Sequence, residues 1–305
     1  MNKETNWISC YIFHNSSFEK ILIELIAPII NKLEEAKLIE HSFFIRYWEN
    51  GPHIRLRVLP TKTNVKIKKL IKQLIDDYFT IAFNETKYSI EFNNYIQEIG
   101  RYGGTSTIKI SENHFQSSSQ TVLTCITNNY DNWDYSKAIS IAIQMHIVLI
   151  KQIFNNLDEV ILFFNTFYNN WIQCSIKLDQ GNQITTEEIV KVNNLFNSSY
   201  KRQKESVDFI VKKLWFTEQY EDSWLSDWSI KSKITSKQII ETKESFIIKE
   251  IVFNETLKVN KEKQILFTLY ESYIHMTNNR LGIHLRDEPF IAFLIFNALE
   301  SIVEK

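Results

Sequence analysis

The stretch Phe44-Ile-Arg-Tyr-Trp-Glu-Asn-Gly51-Pro-His-Ile-Arg-Leu-Arg-Val58 holds two β-prone runs on either side of a turn signal. It predicts a hairpin of two strands, Ser42–Trp48 and His53–Leu59. Alternating or helical spacing of apolar residues predicts the elements around it. These are a strand Trp7–Phe13, a helix Phe18–Leu38, a helix Val65–Phe79 and a strand Tyr88–Tyr95. The order β-α-β-β-α-β is that of a ferredoxin-like split unit.

The rest of the chain has the composition of a helical protein. The 305 residues include only 6 Gly and 4 Pro, where average usage gives about 21 and 15. Such scarcity excludes a disordered chain and disfavours an all-β fold, which needs frequent turns. We therefore expect an α+β protein, with a sheet unit at 1–110 and a helical region at 111–305 that together form one compact unit. The predicted helices are Ser111–Thr127, Tyr135–Phe154, Leu157–Ile176, Thr185–Trp215, Thr235–Lys249, Lys261–Asn279 and Asp287–Val303.

Charge and cysteine content exclude several classes of function. The net charge of −1 gives no electrostatic case for nucleic-acid binding by the whole protein. The three cysteines form no CxxC pair, and the histidines show no metal-ligand spacing, so neither a disulfide framework nor a metal site is predicted. No signal peptide and no apolar run of about 20 residues is present. A cytoplasmic location is the resulting expectation.

Cationic side chains share one face of the predicted hairpin. Side chains alternate along a strand, so His53, Arg55 and Arg57 point the same way, and the apolar residues between them face the helices. A symmetric loop of two or four residues places Arg46 opposite Arg55 and adds it to this face. Like charges opposite each other destabilise a strand pair, which indicates an anionic partner, either an internal carboxylate or a ligand. The alternative is a solvated face on which arginine only serves solubility.

A glycine-rich loop follows the last predicted strand, with the sequence Gln97-Glu-Ile-Gly-Arg-Tyr-Gly-Gly104. In a chain this poor in glycine, the loop indicates a positive φ or a close approach of the backbone. Arg101 is expected to add a guanidinium to the hairpin cations, and Glu98 to pair with one of them. An ordinary strand-to-helix turn is the alternative.

A third segment places polar residues on one side of a predicted helix. Glu271, His275 and Asn279 follow each other at i, i+4 spacing. A carboxylate one turn away can fix the tautomer of a histidine, which suits general acid–base chemistry. A purely structural histidine is the alternative.

These three segments together resemble one family. The motifs are Phe44-Ile-Arg-Tyr with Gly51-Pro-His-Ile-Arg55-Leu-Arg57, Glu98-x-x-Arg101-Tyr-Gly-Gly, and His275-Met-x-x-Asn-Arg280-Leu. They are similar to the C-terminal elimination domain of class I lanthipeptide dehydratases, also called the thiopeptide-type bacteriocin biosynthesis domain. The resemblance covers nearly the whole chain.

The resemblance implies a reaction. In that family a separate N-terminal region uses glutamyl-tRNA to esterify Ser or Thr side chains of a precursor peptide. The elimination domain then removes glutamate and leaves dehydroalanine or dehydrobutyrine. The family's catalytic residues fall on Arg55, Arg57, Arg101 and His275, and substrate-binding roles are expected for Arg46, His53, Glu98 and Arg280.

Elementary chemistry is compatible with these roles. Removal of a peptide Cα proton builds an enolate, which fixed guanidinium donors stabilise, and the glutamyl α-carboxylate is a natural partner for arginine. His275 would move the proton, as base or as acid to the leaving carboxylate. The reaction needs no cofactor and no metal. A standalone chain of this kind would depend on a separate glutamylating subunit, and homodimerisation is open.

Two other functions compete with elimination. One is that of a thiopeptide pyridine synthase, which joins two dehydroalanines in a formal [4+2] cycloaddition and expels the leader peptide. The other is a non-catalytic peptide-binding partner in a modification complex. The full set of arginines and the histidine favours elimination.

Overall fold

The structure, a computed structural model, describes residues 6–62, 65–82, 87–176, 184–242 and 259–303. Its α+β fold begins with four antiparallel strands in the order β2-β3-β1-β4. The strands are β1 (Ile8–His14), β2 (Ile39–Tyr47), β3 (His53–Pro60) and β4 (Tyr88–Asn93). The helices are α1 (Phe18–Ile21), a π-helical turn (Leu22–Ile26), α2 (Ala27–Glu35), α3 (Val65–Ala82), α4 (Ile108–Asn128), α5 (Tyr135–Lys151), α6 (Leu157–Trp171), α7 (Thr186–Phe216), α8 (Ser223–Thr242), α9 (Lys261–Leu281) and α10 (Glu288–Val303). This element order and sheet order confirm the predicted ferredoxin-like unit.

The chain divides into two compact units by its internal contacts. The first comprises residues 1–99 and 111–133, and the second comprises residues 100–110 and 134–305. Most of α4, which the sequence assigns to the helical region, is thus grouped with the sheet. Arg101 is grouped with the later helices.

One face of the sheet is covered by α1, α2 and α3 in the first unit. Ile54, Leu56 and Val58 of β3 point to this face and are at most 1% exposed, as predicted. Phe79 of α3 stacks on Tyr88 of β4, with ring centroids 4.3 Å apart. Apolar residues at helical spacing in α1 to α3 thus complete this core.

The turn between β2 and β3 corrects the predicted register. Five residues, Trp48 to Pro52, separate the strands, and Tyr47 rather than Trp48 pairs with His53. An odd loop shifts the pairing by one residue, and such a shift reverses the face of each side chain. The turn takes two left-handed residues in succession, with φ of 62° at Asn50 and 108° at Gly51.

Because of this shift, Arg46 lies on the helix-covered face. It pairs with Ile54 and not with Arg55, so the prediction that it joins the other cations was wrong. Its side chain is 3% exposed, and Nη1 donates to Glu19 Oε1 at 2.5 Å. Burial lowers the pKa of Arg46, and the Glu19 charge opposes this. Arg46 is therefore a structural cation that neutralises a carboxylate in α1.

In the second unit, helix α5 lies at the centre of a helical bundle. Its buried residues surround the whole helix, as expected for a helix packed on all sides. Trp228 of α8 is fully buried and donates its indole N–H to the carbonyl of Met145 at 2.9 Å. Helix α10 packs on α5, α6 and α7.

The predicted helices agree with this bundle apart from α8. The sequence places its start at Thr235, but α8 begins at Ser223. Its buried face includes Ser232, Thr235 and Ser236, so apolar periodicity underestimates it. The end predicted at Lys249 lies outside the described residues.

Among the described residues, no helix is both long and apolar enough to cross a bilayer. The same part of the chain contains no group of three His, Cys, Asp or Glu side chains that could hold a metal ion.

The Arg46–Glu19 pair gives a stability prediction. Glu19→Ala leaves a buried guanidinium without its counter-charge, so we expect the free energy of unfolding to fall by about 3 kcal/mol. Lys191→Ala breaks the exposed Lys191–Glu187 pair. This change should alter the free energy of unfolding by less than about 0.5 kcal/mol. Denaturant unfolding of both variants measures the difference. Equal effects would contradict a structural role for Arg46.

Candidate functional site

The face of the sheet opposite α1 to α3 carries His53, Arg55 and Arg57 at alternate positions of β3, as predicted. We call these three residues and the rings around them the arginine face. Across the register, four of the six directly paired neighbours of these residues are aromatic and none is acidic. The β2 residues opposite His53, Arg55 and Arg57 are Tyr47, Ile45 and Phe43, and the β1 residues are Phe13, Tyr11 and Ser9.

Arg55 is held between two tyrosine rings. Its guanidinium carbon lies 3.3 Å from the ring centroid of Tyr47 and 4.4 Å from that of Tyr11. Its Nε donates to Nε2 of His53 at 3.1 Å. Among the described residues, no carboxylate lies within ion-pair distance of Arg55. The side chain therefore presents its terminal nitrogens as a fork of unused donors.

His53 supports Arg55 from within the sheet. It is 1% exposed, and its Nδ1 lies 2.8 Å from the carbonyl oxygen of Gly51. A carbonyl only accepts, so Nδ1 carries the proton and Nε2 is free to accept from Arg55. Burial lowers the pKa of His53; the Gly51 hydrogen bond opposes this, and the Arg55 charge adds to it. The sequence predicts that His53 binds substrate. In the structure, both of its ring nitrogens are occupied by Gly51 and Arg55.

Arg57 lies farther along the same face. Its guanidinium carbon is 4.4 Å from the Tyr95 ring centroid and 5.4 Å from that of Phe43. Its Nε is buried and makes no hydrogen bond within the described chain. Burial lowers the pKa of Arg57, while the charge of the exposed Glu98 acts against this. Arg57 is thus a partly desolvated cation with Glu98 nearby, in keeping with the predicted association.

The second unit contains the predicted histidine. Nδ1 of His275 on α9 lies 2.8 Å from Oε1 of Glu288, the first residue of α10. The His275 side chain is 24% exposed and that of Glu288 only 2%. Because Glu288 occupies Nδ1, Nε2 is the ring nitrogen left for a substrate. The partner that fixes the tautomer is therefore Glu288, and the prediction of Glu271 was wrong.

Two further side chains complete a polar chain behind His275. Asn278 Nδ2 donates to Glu288 Oε2 at 3.1 Å, and Asn278 Oδ1 accepts from Nε2 of His146 at 2.7 Å. Burial lowers the pKa of His146 to about 4, so this histidine is neutral at physiological pH. We call His275, Glu288, Asn278 and His146 the histidine cluster. Within this cluster, His275 and Asn278 each bind one oxygen of the Glu288 carboxylate and so immobilise it.

Glu271 has a different set of partners. Its carboxylate accepts from Asn170 Nδ2 at 3.0 Å and from the indole N–H of Trp171 at 3.2 Å. Burial raises the pKa of Glu271 to about 7, against the effect of both donors. The Trp171 ring lies 5.1 Å from that of His275. Glu271 thus holds the indole that packs against the histidine.

Arg101 is anchored to the same helix as His275. Its Nε donates to Ser272 Oγ at 3.2 Å, and Ser272 precedes His275 by three residues, one turn of α9. The glycine-rich loop around it needs glycine, as predicted. Gly103 has φ of 86°, and a Cβ there would lie 2.5 Å from Thr107 Oγ1. Thr107 also donates to the carbonyls of Tyr102 and Gly104.

Arg280 lies in the interior of the second unit. It is fully buried, and Nη1 donates to the carbonyl of Met276 one turn earlier in α9 at 2.9 Å. The contact of Arg280 with substrate stays a prediction, since the structure shows only that its side chain is enclosed.

Glu288, Trp171 and the tyrosines around Arg55 are not among the residues that the sequence predicts for the site. Glu288 precedes Pro289 at the start of α10, a position where a carboxylate is favoured by the helix dipole. That signal predicts a helix start but not the contact with α9. The aromatic positions of β1 and β2 follow from the strand alternation once the turn length is known.

Comparison with known proteins assigns the chain to a family. Residues 7–299 match the family model described as lantibiotic biosynthesis dehydratase C-term. The chain is 27% identical over 217 residues to nisin biosynthesis protein NisB of Lactococcus lactis subsp. lactis. That match covers 68% of this chain and 20% of NisB, so the chain spans about a fifth of the length of this curated relative.

Solved structures share the fold. The pyridine synthase TbtD from thiomuracin biosynthesis aligns with a TM-score of 0.73 and 12% identity, over 98% of this chain and 99% of TbtD. The tRNA-dependent lantibiotic dehydratase MibB from Microbispora sp. 107891 aligns with a TM-score of 0.66 and 12% identity, over 100% of this chain and 29% of MibB. TsrL aligns with a TM-score of 0.65 and 14% identity, over 98% of this chain and 95% of TsrL. With a family model that matches nearly its whole length, the chain belongs to the lantibiotic biosynthesis dehydratase C-terminal family.

Proposed function

We propose that this chain removes glutamate from glutamylated Ser or Thr residues of a ribosomal precursor peptide. The observation that carries the proposal is the pair Arg55 and Arg57, which share a sheet face on which, among the described residues, no carboxylate forms an ion pair with either. A glutamyl ester brings a free α-carboxylate, and guanidinium groups bind carboxylates through parallel hydrogen bonds. Such a substrate would supply the paired carboxylate that neither arginine has among the described residues.

The reaction is a β-elimination with a balanced proton and leaving group. The Cα proton leaves, the electron pair forms the Cα–Cβ double bond, and the Cβ–O bond breaks to release glutamate. The intermediate enolate gains stability from fixed donors, a role that we assign to Arg55, Arg57 and Arg101. Nε2 of His275 exchanges the proton, since Glu288 occupies Nδ1.

The proposal defines the partners of the chain. Esterification of the peptide is assigned to a separate tRNA-dependent glutamylating component, and the reaction to the cytoplasm, where charged tRNA is made. The product is dehydroalanine from Ser and dehydrobutyrine from Thr. Neither a metal nor a cofactor has a part in these steps.

A pyridine synthase activity is the second candidate. It is supported by the fold that the chain shares with the pyridine synthase TbtD, at a TM-score of 0.73. A cycloaddition of two dehydroalanines offers no carboxylate to Arg55 and Arg57, which is why we place it second.

The first prediction separates these activities. A peptide with one glutamylated serine should lose the mass of glutamic acid when incubated with the protein, and free glutamate should appear in equal amount. A peptide with two dehydroalanines should stay unchanged. Mass spectrometry follows both peptides. If the peptide with two dehydroalanines reacted and the glutamylated peptide did not, the activity would be cycloaddition and not elimination.

The second prediction concerns the cations. Arg55→Ala and Arg57→Ala should each lower the rate of glutamate release on the order of a hundredfold, as loss of a fixed oxyanion donor does. Arg202→Ala removes an exposed arginine of α7 and serves as the control. Stopped assays of glutamate release measure all three variants. Similar rates for all would show that the arginine face is dispensable.

The third prediction concerns the histidine cluster. His275→Ala should abolish release, and Glu288→Gln should slow it by about tenfold or more, since the charge that stabilises a protonated His275 is lost. His284→Ala removes an exposed histidine and should have no effect. The measurement is accumulation of glutamylated peptide in a system reconstituted with the glutamylating component. Normal dehydration by His275→Ala would remove His275 from the reaction.

A further inference from the structure

The geometry points to His53 as a positioning residue that acts through Arg55: as a neutral acceptor, it fixes the guanidinium whose terminal nitrogens bind the glutamyl group. This inference rests on the proposed function and adds a role for a residue that itself has no access to substrate. It differs from the expectation that His53 binds the substrate.

The first argument is the direction of the hydrogen bonds. Gly51 is in the left-handed region at the β2–β3 turn, and its carbonyl oxygen accepts from Nδ1 of His53. This contact defines the tautomer, and Nε2 can then accept from Nε of Arg55. An arginine has no acceptor of its own, so the contact exists only while His53 is neutral.

The second argument is the packing of the imidazole. The centroid of the His53 ring lies 4.3 Å from the ring centroid of Phe13, 5.4 Å from that of Tyr11 and 5.4 Å from that of Tyr47. Tyr11 and Tyr47 are also the rings that enclose the Arg55 guanidinium. One aromatic frame therefore holds both side chains and limits their rotation.

The third argument is that His53 leaves the useful donors free. Of the five guanidinium N–H groups, the one on Nε is used internally. The remaining four form the fork that matches a carboxylate. If Nε instead faced another donor or an apolar group, the guanidinium of Arg55 would be free to rotate in its own plane. Its terminal nitrogens would then be displaced, and small displacements of catalytic groups cost up to about a hundredfold in rate.

The charged surroundings of His53 are compatible with the neutral form. Arg55 disfavours the protonated imidazole, while Glu49 in the turn and Glu91 on β4 favour it. His14 on β1 is a further nearby titratable group, in addition to Tyr11 and Tyr47, and burial lowers the pKa of His14. Burial is the largest influence on His53 and lowers its pKa, so acidification is needed to break the contact.

The experiment uses a double-mutant cycle on the full chain. His53→Leu removes donor and acceptor and should lower kcat/KM for the glutamylated peptide by about tenfold to a hundredfold. In an Arg55→Ala background the same change should cost less than about twofold, because the residue acts through Arg55. A full additional loss in that background would overturn the inference.

A conservative variant separates positioning from folding. His53→Gln keeps an N–H for Gly51 and a carbonyl for Arg55, so it should restore most of the rate lost in His53→Leu. Glutamine does not titrate, so the ratio of the His53→Gln rate to the wild-type rate should rise once the pH falls below the pKa of His53, which burial lowers. The matched control is His41→Gln, which changes a β2 histidine bonded to Gln116 and should give a constant ratio. Failure of His53→Gln to restore the rate lost in His53→Leu would contradict the inference.

A spectroscopic readout distinguishes failure of this inference from failure of the proposed function. Nitrogen-15 NMR of labelled histidine should show His53 protonated on Nδ1 and bare on Nε2, whether or not the protein releases glutamate. A protein with this tautomer but without glutamate release would refute elimination alone. A protein that releases glutamate while His53 is protonated on Nε2 would refute the positioning role alone.

Discussion

The odd number of residues in the β2–β3 turn decides which side chains lie on the arginine face. Side chains alternate along a strand, so a turn longer or shorter by one residue would reverse every side chain of β2. With the turn at Trp48 to Pro52, aromatic rings of β2 lie beside Arg55 and Arg57, and Arg46 is directed to the helices. The turn thus separates an arginine that neutralises a carboxylate from two arginines that have aromatic neighbours.

Aromatic neighbours hold an arginine without neutralising it. A ring face offers about 0.5–2 kcal/mol to a guanidinium but leaves its N–H groups free to donate in the plane of the group. A carboxylate neighbour would occupy the same donors that a ligand needs. Arg55 between Tyr11 and Tyr47, and Arg57 beside Tyr95, are therefore fixed in place and still cationic. Arg46, bonded to Glu19, shows the opposite arrangement in the same sheet.

The sequence predicts those features that depend on local periodicity, and it fails where distant parts of the chain decide. Strand alternation correctly places His53, Arg55 and Arg57 together, and glycine scarcity correctly marks the loop at Gly103 as constrained. Periodicity does not encode the length of a turn, so the sequence predicts the wrong face of the sheet for Arg46. Helical spacing identifies Glu271 as the nearest carboxylate to His275 along the chain, but Trp171 and Asn170 on another helix engage it.

The two histidines, His53 and His275, are suited to different roles because their Nδ1 atoms meet different acceptors. Nδ1 of His53 donates to a backbone carbonyl, and Nε2 is enclosed and bonded to a cation, so the ring is a fixed acceptor. Nδ1 of His275 meets the carboxylate of Glu288, and a partly exposed ring leaves Nε2 open. A carboxylate stabilises positive charge on a ring that gains a proton more strongly than a neutral carbonyl beside an arginine does. In the roles that we propose, a histidine supports the arginine face at position 53 and carries a proton in the histidine cluster at position 275.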